Sequence, residues 1–129
     1  MSTHRSSDYV FTENPGGELE FVGDFDGLYA SDPDPWDQSG EGERMADYYK
    51  DSRRLLNQSL VDINPKNVLE VGCGLGVSTG AIADSLPNAR VDGVDISEIA
   101  VEKACRSFPD LQFYSGDIGA KNFECGKTG

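Results

Sequence analysis

Histidine is almost missing from this chain: His4 is the only one among 129 residues. The cysteines, Cys73, Cys105 and Cys125, are odd in number and share no C-x-x-C spacing. Neither a zinc centre nor a disulfide framework has a ligand set or a pairing pattern here, and no metal is expected. Basic residues are also scarce. Eleven Lys and Arg stand against 23 Asp and Glu, a formal net charge of −12. Such a surface repels a polyanion, so nucleic acid is not an expected partner, although acidity also serves plain solubility. No apolar run reaches the length of a membrane span, and the N-terminus has no apolar signal core. No membrane partner is expected, and the reducing cytoplasm is the expected compartment.

What the chain does have is one organising stretch, from Val68 to Asp95. Val68, Leu69 and Val71 are β-formers in a short run, suited to a strand buried on both faces of a parallel sheet. Glu70 sits near the strand's end. Gly72, Gly74 and Gly76 then alternate through a turn, with Cys73 as a small filler. Glycines admit positive φ and close approach of a ligand. The helix that follows, residues 77–86, aims its free N–H groups at that ligand. Residues 90–96 form a second strand that delivers Asp95 about 20 residues after the turn, where a carboxylate accepts the hydroxyls of a ribose. This reads as half of a nucleotide-binding βαβ unit. A dinucleotide fingerprint, G-x-G-x-x-G/A, is not met: the sixth position is Val77 or Thr79 in the two frames. That spacing opposes an NAD-linked oxidoreductase.

The pattern Glu70-x-Gly72-x-Gly74-x-Gly76 resembles motif I of the class I S-adenosylmethionine-dependent methyltransferases. Asp95 with Ile96 resembles the second motif of that family. Gly116-Asp117-Ile118, after a strand at Leu111–Ser115, resembles the third. The resemblance covers residues 65–118. It implies S-adenosyl-L-methionine as cofactor, held by Glu70, Gly72, Cys73, Gly74, Gly76, Asp95, Ile96, Asp117 and Ile118. Within that set the glycine turn and Glu70 would serve the amino acid part, Asp95 the ribose, and Ile96 and Asp117 the adenine. Bland alternatives stand beside these roles: Glu70 as a cap acceptor, Asp117 as a turn residue. Methyl transfer from a sulfonium needs alignment and exclusion of water more than a nucleophile, and no catalytic residue is assigned.

Upstream, residues 1–17 read as a flexible polar tail. Residues 18–40 hold the sole Trp with Phe21, Phe25 and Tyr29 among prolines and glycines that forbid a long helix. Asp34-Pro35-Trp36 resembles an N-terminal motif of the nodulation N-methyltransferase-like group, whose arm lies over the cofactor. Trp36 either helps to line that site or anchors the arm to the core; the two roles are compatible. Residues 42–61 have an apolar helical period through Met45, Tyr48, Tyr49, Ser52, Leu55, Leu56 and Leu60. By the resemblance, Tyr48, Tyr49 and Arg53 become candidates for a cofactor or acceptor lid, while core tyrosines and a solvated basic face are the simpler account. Residues 97–108 give another helix, capped by Ser97.

The fold expected is α/β: a Rossmann-like parallel sheet with right-handed crossovers, preceded by an arm and a helix. Its domain spans residues 18–129, with the arm and helix at 18–61, the cofactor-binding βαβαβ at 66–118 and an irregular end at 119–129. Gly126-Lys127-Thr128 mimics a P-loop ending without the required earlier glycine. The sheet reads as truncated after its third strand, which leaves an apolar edge open to self-association, and the chain reads as a fragment of a longer enzyme. The function expected by resemblance is O- or N-methylation of a small-molecule acceptor. The alternative is a non-catalytic or partner-dependent cofactor-binding fragment.

Overall fold

Three short β-rich runs separated by helical segments form a parallel sheet: β3 (Asn67–Val71), β4 (Arg90–Asp95) and β5 (Gln112–Ser115). The computed structural model describes residues 6–36, 46–121 and 123. The strand order is β3-β4-β5. Val68 pairs with Val91 and Val71 with Val94; Gly93 pairs with Phe113 and Asp95 with Ser115. In-register pairing brings the C-terminal ends of all three strands to one rim, as right-handed crossovers require. Two helices make those crossovers, α3 (Val77–Ser85) and α4 (Glu98–Ser107). Ser97 caps α4 as expected, its hydroxyl accepting from the Ala100 N–H at 3.1 Å.

The core lies between the sheet and these helices, in two clusters. Ile82, Leu86 and Val91 pack with Val68 and Leu60; Cys73, Val101, Ala104 and Phe113 pack with Phe108 and Leu111. Gly93 makes the second cluster possible. A Cβ there would stand 2.8 Å from the Phe113 ring and 2.9 Å from the Cys73 Cβ. The β3 strand departs from the expectation of burial on both faces. Val68 points into the core, but Leu69 and Val71, out of phase with it on the pleat, are 42% and 54% exposed. Among the described residues no strand pairs with the outer edge of β3.

Helix α2 (Ala46–Ile63) precedes the sheet and packs against α3. Of its expected apolar face, Leu60 reaches the core, whereas Leu55 and Leu56 are exposed. Met45 and the side chains of Tyr48 and Tyr49 lie outside the described residues, as do His4 and Gly126-Lys127-Thr128.

The N-terminal region carries more structure than a tail. After a 3-10 turn at Ser6–Tyr9, β1 (Phe11–Glu13) pairs antiparallel with β2 (Leu19–Phe21). The turn between them is built by Asn14, whose side-chain oxygen accepts from the N–H groups of Gly16 and Glu18 at 3.0 and 2.9 Å. That Asx turn is the physical reason the segment doubles back. The arm then forms a short helix, α1 (Phe25–Ser31), capped by Asp24 and followed by Pro33 and Pro35. Leu28 and Tyr29 are buried, so the arm is docked.

Gly93→Ala should therefore destabilise the fold by about 1–3 kcal/mol, the usual cost of overpacking a closed core. Urea unfolding of the two proteins compared at equal m-value measures this.

Candidate functional site

A cavity of about 600 Å³ opens at the C-terminal rim of the sheet. That volume suits a small-molecule ligand, and the rim is where open α/β sheets bind theirs. Each strand end contributes to its lining: Glu70 to Gly72 from β3, Val94 to Ile96 from β4, and Gly116 to Ile118 after β5. The arm supplies Phe25, Tyr29 and Trp36, and α3 supplies Ser78.

The glycine turn is shaped from below. Gly72 and Cys73 both donate their N–H groups to the Val94 carbonyl, at 2.8 and 3.0 Å. Gly74 donates to Asp95 Oδ2 at 2.9 Å. Two of the glycines divide the work. Gly72 has φ 72°, and a Cβ on it would meet nothing within 4 Å, so it is the residue that leaves room for a ligand. Gly76, at φ 83°, would drive a Cβ to 2.8 Å from Phe113 and 3.1 Å from the Ala104 Cβ, so it closes α3 onto the core. Both positions hold the left-handed backbone that a side chain disfavours.

Asp95 is fixed by two backbone donors, since its Oδ1 also accepts from Ser97 N–H at 2.9 Å. Each carboxylate oxygen keeps a second acceptor site. Glu70 accepts from the Thr79 hydroxyl at 3.0 Å, which ties the end of β3 to α3. Burial raises its pKa; the Thr79 hydrogen bond and the charge of Arg53 pull the other way. Arg53 Nε also reaches Ser78 Oγ, at 3.4 Å, which sets a cation beside the cavity. Asp117 closes a turn by accepting from Gly119 N–H at 2.8 Å, and it lines the cavity as well. Ile96 and Ile118 are 52% and 50% exposed at the cavity wall.

Thus Glu70, Gly72, Asp95, Ile96, Asp117, Ile118 and Trp36 come together around one space. Gly74 and Gly76 shape the turn without lining it. The Cys73 side chain turns into the core and is fully buried, so only its backbone faces the turn. Burial, then the charges of Asp95 and Glu70, push its thiol up to about 12. It stays protonated and unreactive. Six lining residues are absent from the expected set: Val71, Ser78, Val94 and Gly116 adjoin its members or the glycine turn, whereas Phe25 and Tyr29 come from the arm. Their i, i+4 spacing on α1 was the available signal. Tyr29 is buried, and its phenol is held protonated by burial and by the charge of Asp95, while its oxygen accepts from the Trp36 indole. Among the described residues no group of His, Cys, Asp and Glu is arranged to hold a metal, and no helix is long and apolar enough to cross a membrane.

Residues 68–128 match the family model described as a methyltransferase domain. The chain is 43% identical over 71 residues to the malonyl-[acyl-carrier protein] O-methyltransferase of Halalkalibacterium halodurans, covering 50% of this chain and 26% of that one. It is 40% identical over 55 residues to a trans-aconitate 2-methyltransferase of Escherichia coli, covering 43% and 22%. The match therefore spans about a quarter of the length of these relatives. Among solved structures, the plantazolicin methyltransferase BpumL, in complex with a triazolic desmethylPZN analog and SAH, superposes with a TM-score of 0.54. The identity is 27%, over 79% of this chain and 41% of that one.

The raised pKa of Glu70 fixes the sign of a pH effect. The folded state holds that proton more tightly than the unfolded state, so folding gains from Glu70 only at low pH and loses that gain as pH rises through the folded pKa. Glu70→Gln, which keeps an acceptor for Thr79, should be more stable than the parent at pH 7, and the difference should shrink toward pH 4. Urea unfolding of both proteins at the two pH values measures it.

Proposed function

We propose that residues 68–128, which match a methyltransferase-domain model, are cofactor-binding sequence of a class I S-adenosylmethionine-dependent methyltransferase, and that the cavity holds S-adenosyl-L-methionine for methyl transfer to a small-molecule acceptor. The observation that carries this reading is convergence: three sequence-separated carboxylates, Glu70, Asp95 and Asp117, line one 600 Å³ space together with Gly72. The fit to the cofactor rests on the cradle itself, because the space beyond Gly72 is one that any side chain there would enter.

The residues have distinct tasks. Asp95, oriented by Gly74 and Ser97, offers its remaining lone pairs to the ribose hydroxyls. Ile96 and Ile118 present apolar surface to the adenine, and Asp117 accepts from its amino group. The glycine turn and Glu70 face the amino acid part, and Arg53, beside Ser78, offers a cation to its carboxylate. Tyr48 and Tyr49 remain lid candidates from the sequence. The cofactor supplies an electrophilic methyl group with a good leaving group already attached. The protein's part is alignment and exclusion of water, which the aromatic arm serves. The acidic lining also suits a positively charged ligand.

The acceptor is proposed as a small molecule methylated on oxygen or nitrogen, and the O-methyltransferase among the relatives favours oxygen. A second reading is a cofactor-binding unit that relies on further chain or on a partner for its acceptor. It is favoured by the match's reach over only 26% and 22% of the two relatives. The edge of β3 that no described strand pairs with would be where a second copy or another strand adds.

Calorimetric titration with S-adenosylhomocysteine should give saturable 1:1 binding, and a flat titration of folded protein would remove the assignment. Asp95→Asn should weaken that binding by about 1–3 kcal/mol through loss of a charge-assisted acceptor. The amide is preferable to alanine because it leaves an acceptor for the Gly74 and Ser97 donors.

A further inference from the structure

The arm and the glycine turn lie far apart in sequence, yet one line of hydrogen bonds joins them. Asp26, in the first turn of α1, accepts at Oδ1 from the Ser97 hydroxyl at 2.6 Å and from the Ile99 N–H at 3.2 Å. Ser97 Oγ in turn accepts from Ala100 N–H, and Ser97 N–H donates to Asp95 Oδ1. Asp95 Oδ2 then accepts from Gly74. The N-terminus of α4 thus has its second helical N–H satisfied by the arm and its third by its own cap. A carboxylate at that position also suits the helix dipole. The other end of α1 is held as well: Lys103 Nζ donates to the Tyr29 carbonyl at 2.5 Å. Held at these two points, the arm presents Phe25, Tyr29 and Trp36 to the cavity.

We infer that Asp26 is a positioning residue, a latch that seats the aromatic arm against the cavity and couples the arm's docking to occupancy of the site. Ser97 is 1% exposed beneath the docked arm, and Asp26 reaches its hydroxyl from an exposed position on α1, so the contact forms only when the arm is seated. Undocking the arm would also uncover Leu28 and Tyr29, which are buried, so the latch acts together with that apolar contact to hold the arm seated. A ligand that touches the Tyr29–Trp36 wall binds better when the arm is seated. By linkage, the same ligand then strengthens the seating by the same factor. This inference rests on the cofactor reading above only for the identity of that ligand.

Trp36 is the only tryptophan in the chain, so its fluorescence reports the arm alone. In the parent chain, S-adenosylhomocysteine should reduce acrylamide quenching of Trp36. Asp26→Ala should raise quenching in the absence of ligand and weaken S-adenosylhomocysteine binding by about fivefold or more, the low end of typical coupling between sites. Asp26→Asn, which retains one acceptor, should fall between the two. Lys103→Met, which removes the other tether and keeps the aliphatic stem, should shift quenching in the same direction and serves if Asp26→Ala does not fold. Unchanged quenching in Asp26→Ala and Lys103→Met, at temperatures well below unfolding, would overturn the latch even if the parent binds the ligand normally. A parent that binds no S-adenosylhomocysteine would instead overturn the cofactor assignment, and the ligand-free quenching comparison would still decide the latch.

Discussion

The carboxylate of Asp95 accepts one backbone N–H from the glycine turn and another from the start of α4. Those two bonds set the shape of the rim. The turn after β3 could swing if only its own backbone held it, because Gly72, Gly74 and Gly76 all sit at positive φ, where glycine has the most freedom to lose. Anchoring Gly74 to a neighbouring strand removes that freedom at one point. Anchoring Ser97 with the other oxygen of the same carboxylate orients the helix cap relative to the turn. One side chain at the end of the central strand therefore aligns two segments that come from opposite sides of it. The acceptor sites left over on the same carboxylate are the ones proposed above for a ribose.

The packing beneath the rim follows from small residues at points of close approach. Gly76 and Gly93 both yield space to the Phe113 ring, and Gly80 on α3 yields space to Phe108. The two rings meet at 6.4 Å between centroids, tilted by 50°. Aromatic bulk is thus taken from β5 and from the end of α4, and the room for it comes from the turn, β4 and α3. This division explains a feature that the motif alone leaves open. No small residue falls at the last position of a dinucleotide fingerprint, yet the helix still closes onto the sheet, because Gly76 and Gly80 do that work from other positions.

Much of the parallel-sheet unit was legible in the sequence because its signals are local. The β-rich run, the alternating glycines, the carboxylate ending the second strand and the Ser97 cap each depend on a few neighbouring residues, and the structure has them where the pattern puts them. What escaped depends on pairing across distance. Asp26 and Ser97 are 71 positions apart, and nothing in either neighbourhood names the other. The burial of β3 also escaped, because a β-rich run records what a strand can bury, while exposure depends on which elements lie beside it. The β1–β2 hairpin is a different case: Asn14-Pro15-Gly16-Gly17 is a turn signal, but strands of three residues with no buried position leave no periodicity to flank it.

Charge brings these pieces into one account. The cavity draws carboxylates from three strand ends, and Arg53 is the cation coupled to the buried one among them. A neutral or anionic ligand would gain little from such a lining, and Glu70 would resist ionising in its presence. A cationic ligand reverses both effects: it offsets the burial that raises the Glu70 pKa, and it shares the cavity with Tyr29 and Trp36, whose rings attract cations. Arm and rim are thus complementary to the same kind of charge. This gives a physical reason for the arm to be tethered to the end of the strand that carries Asp95, rather than elsewhere on the sheet.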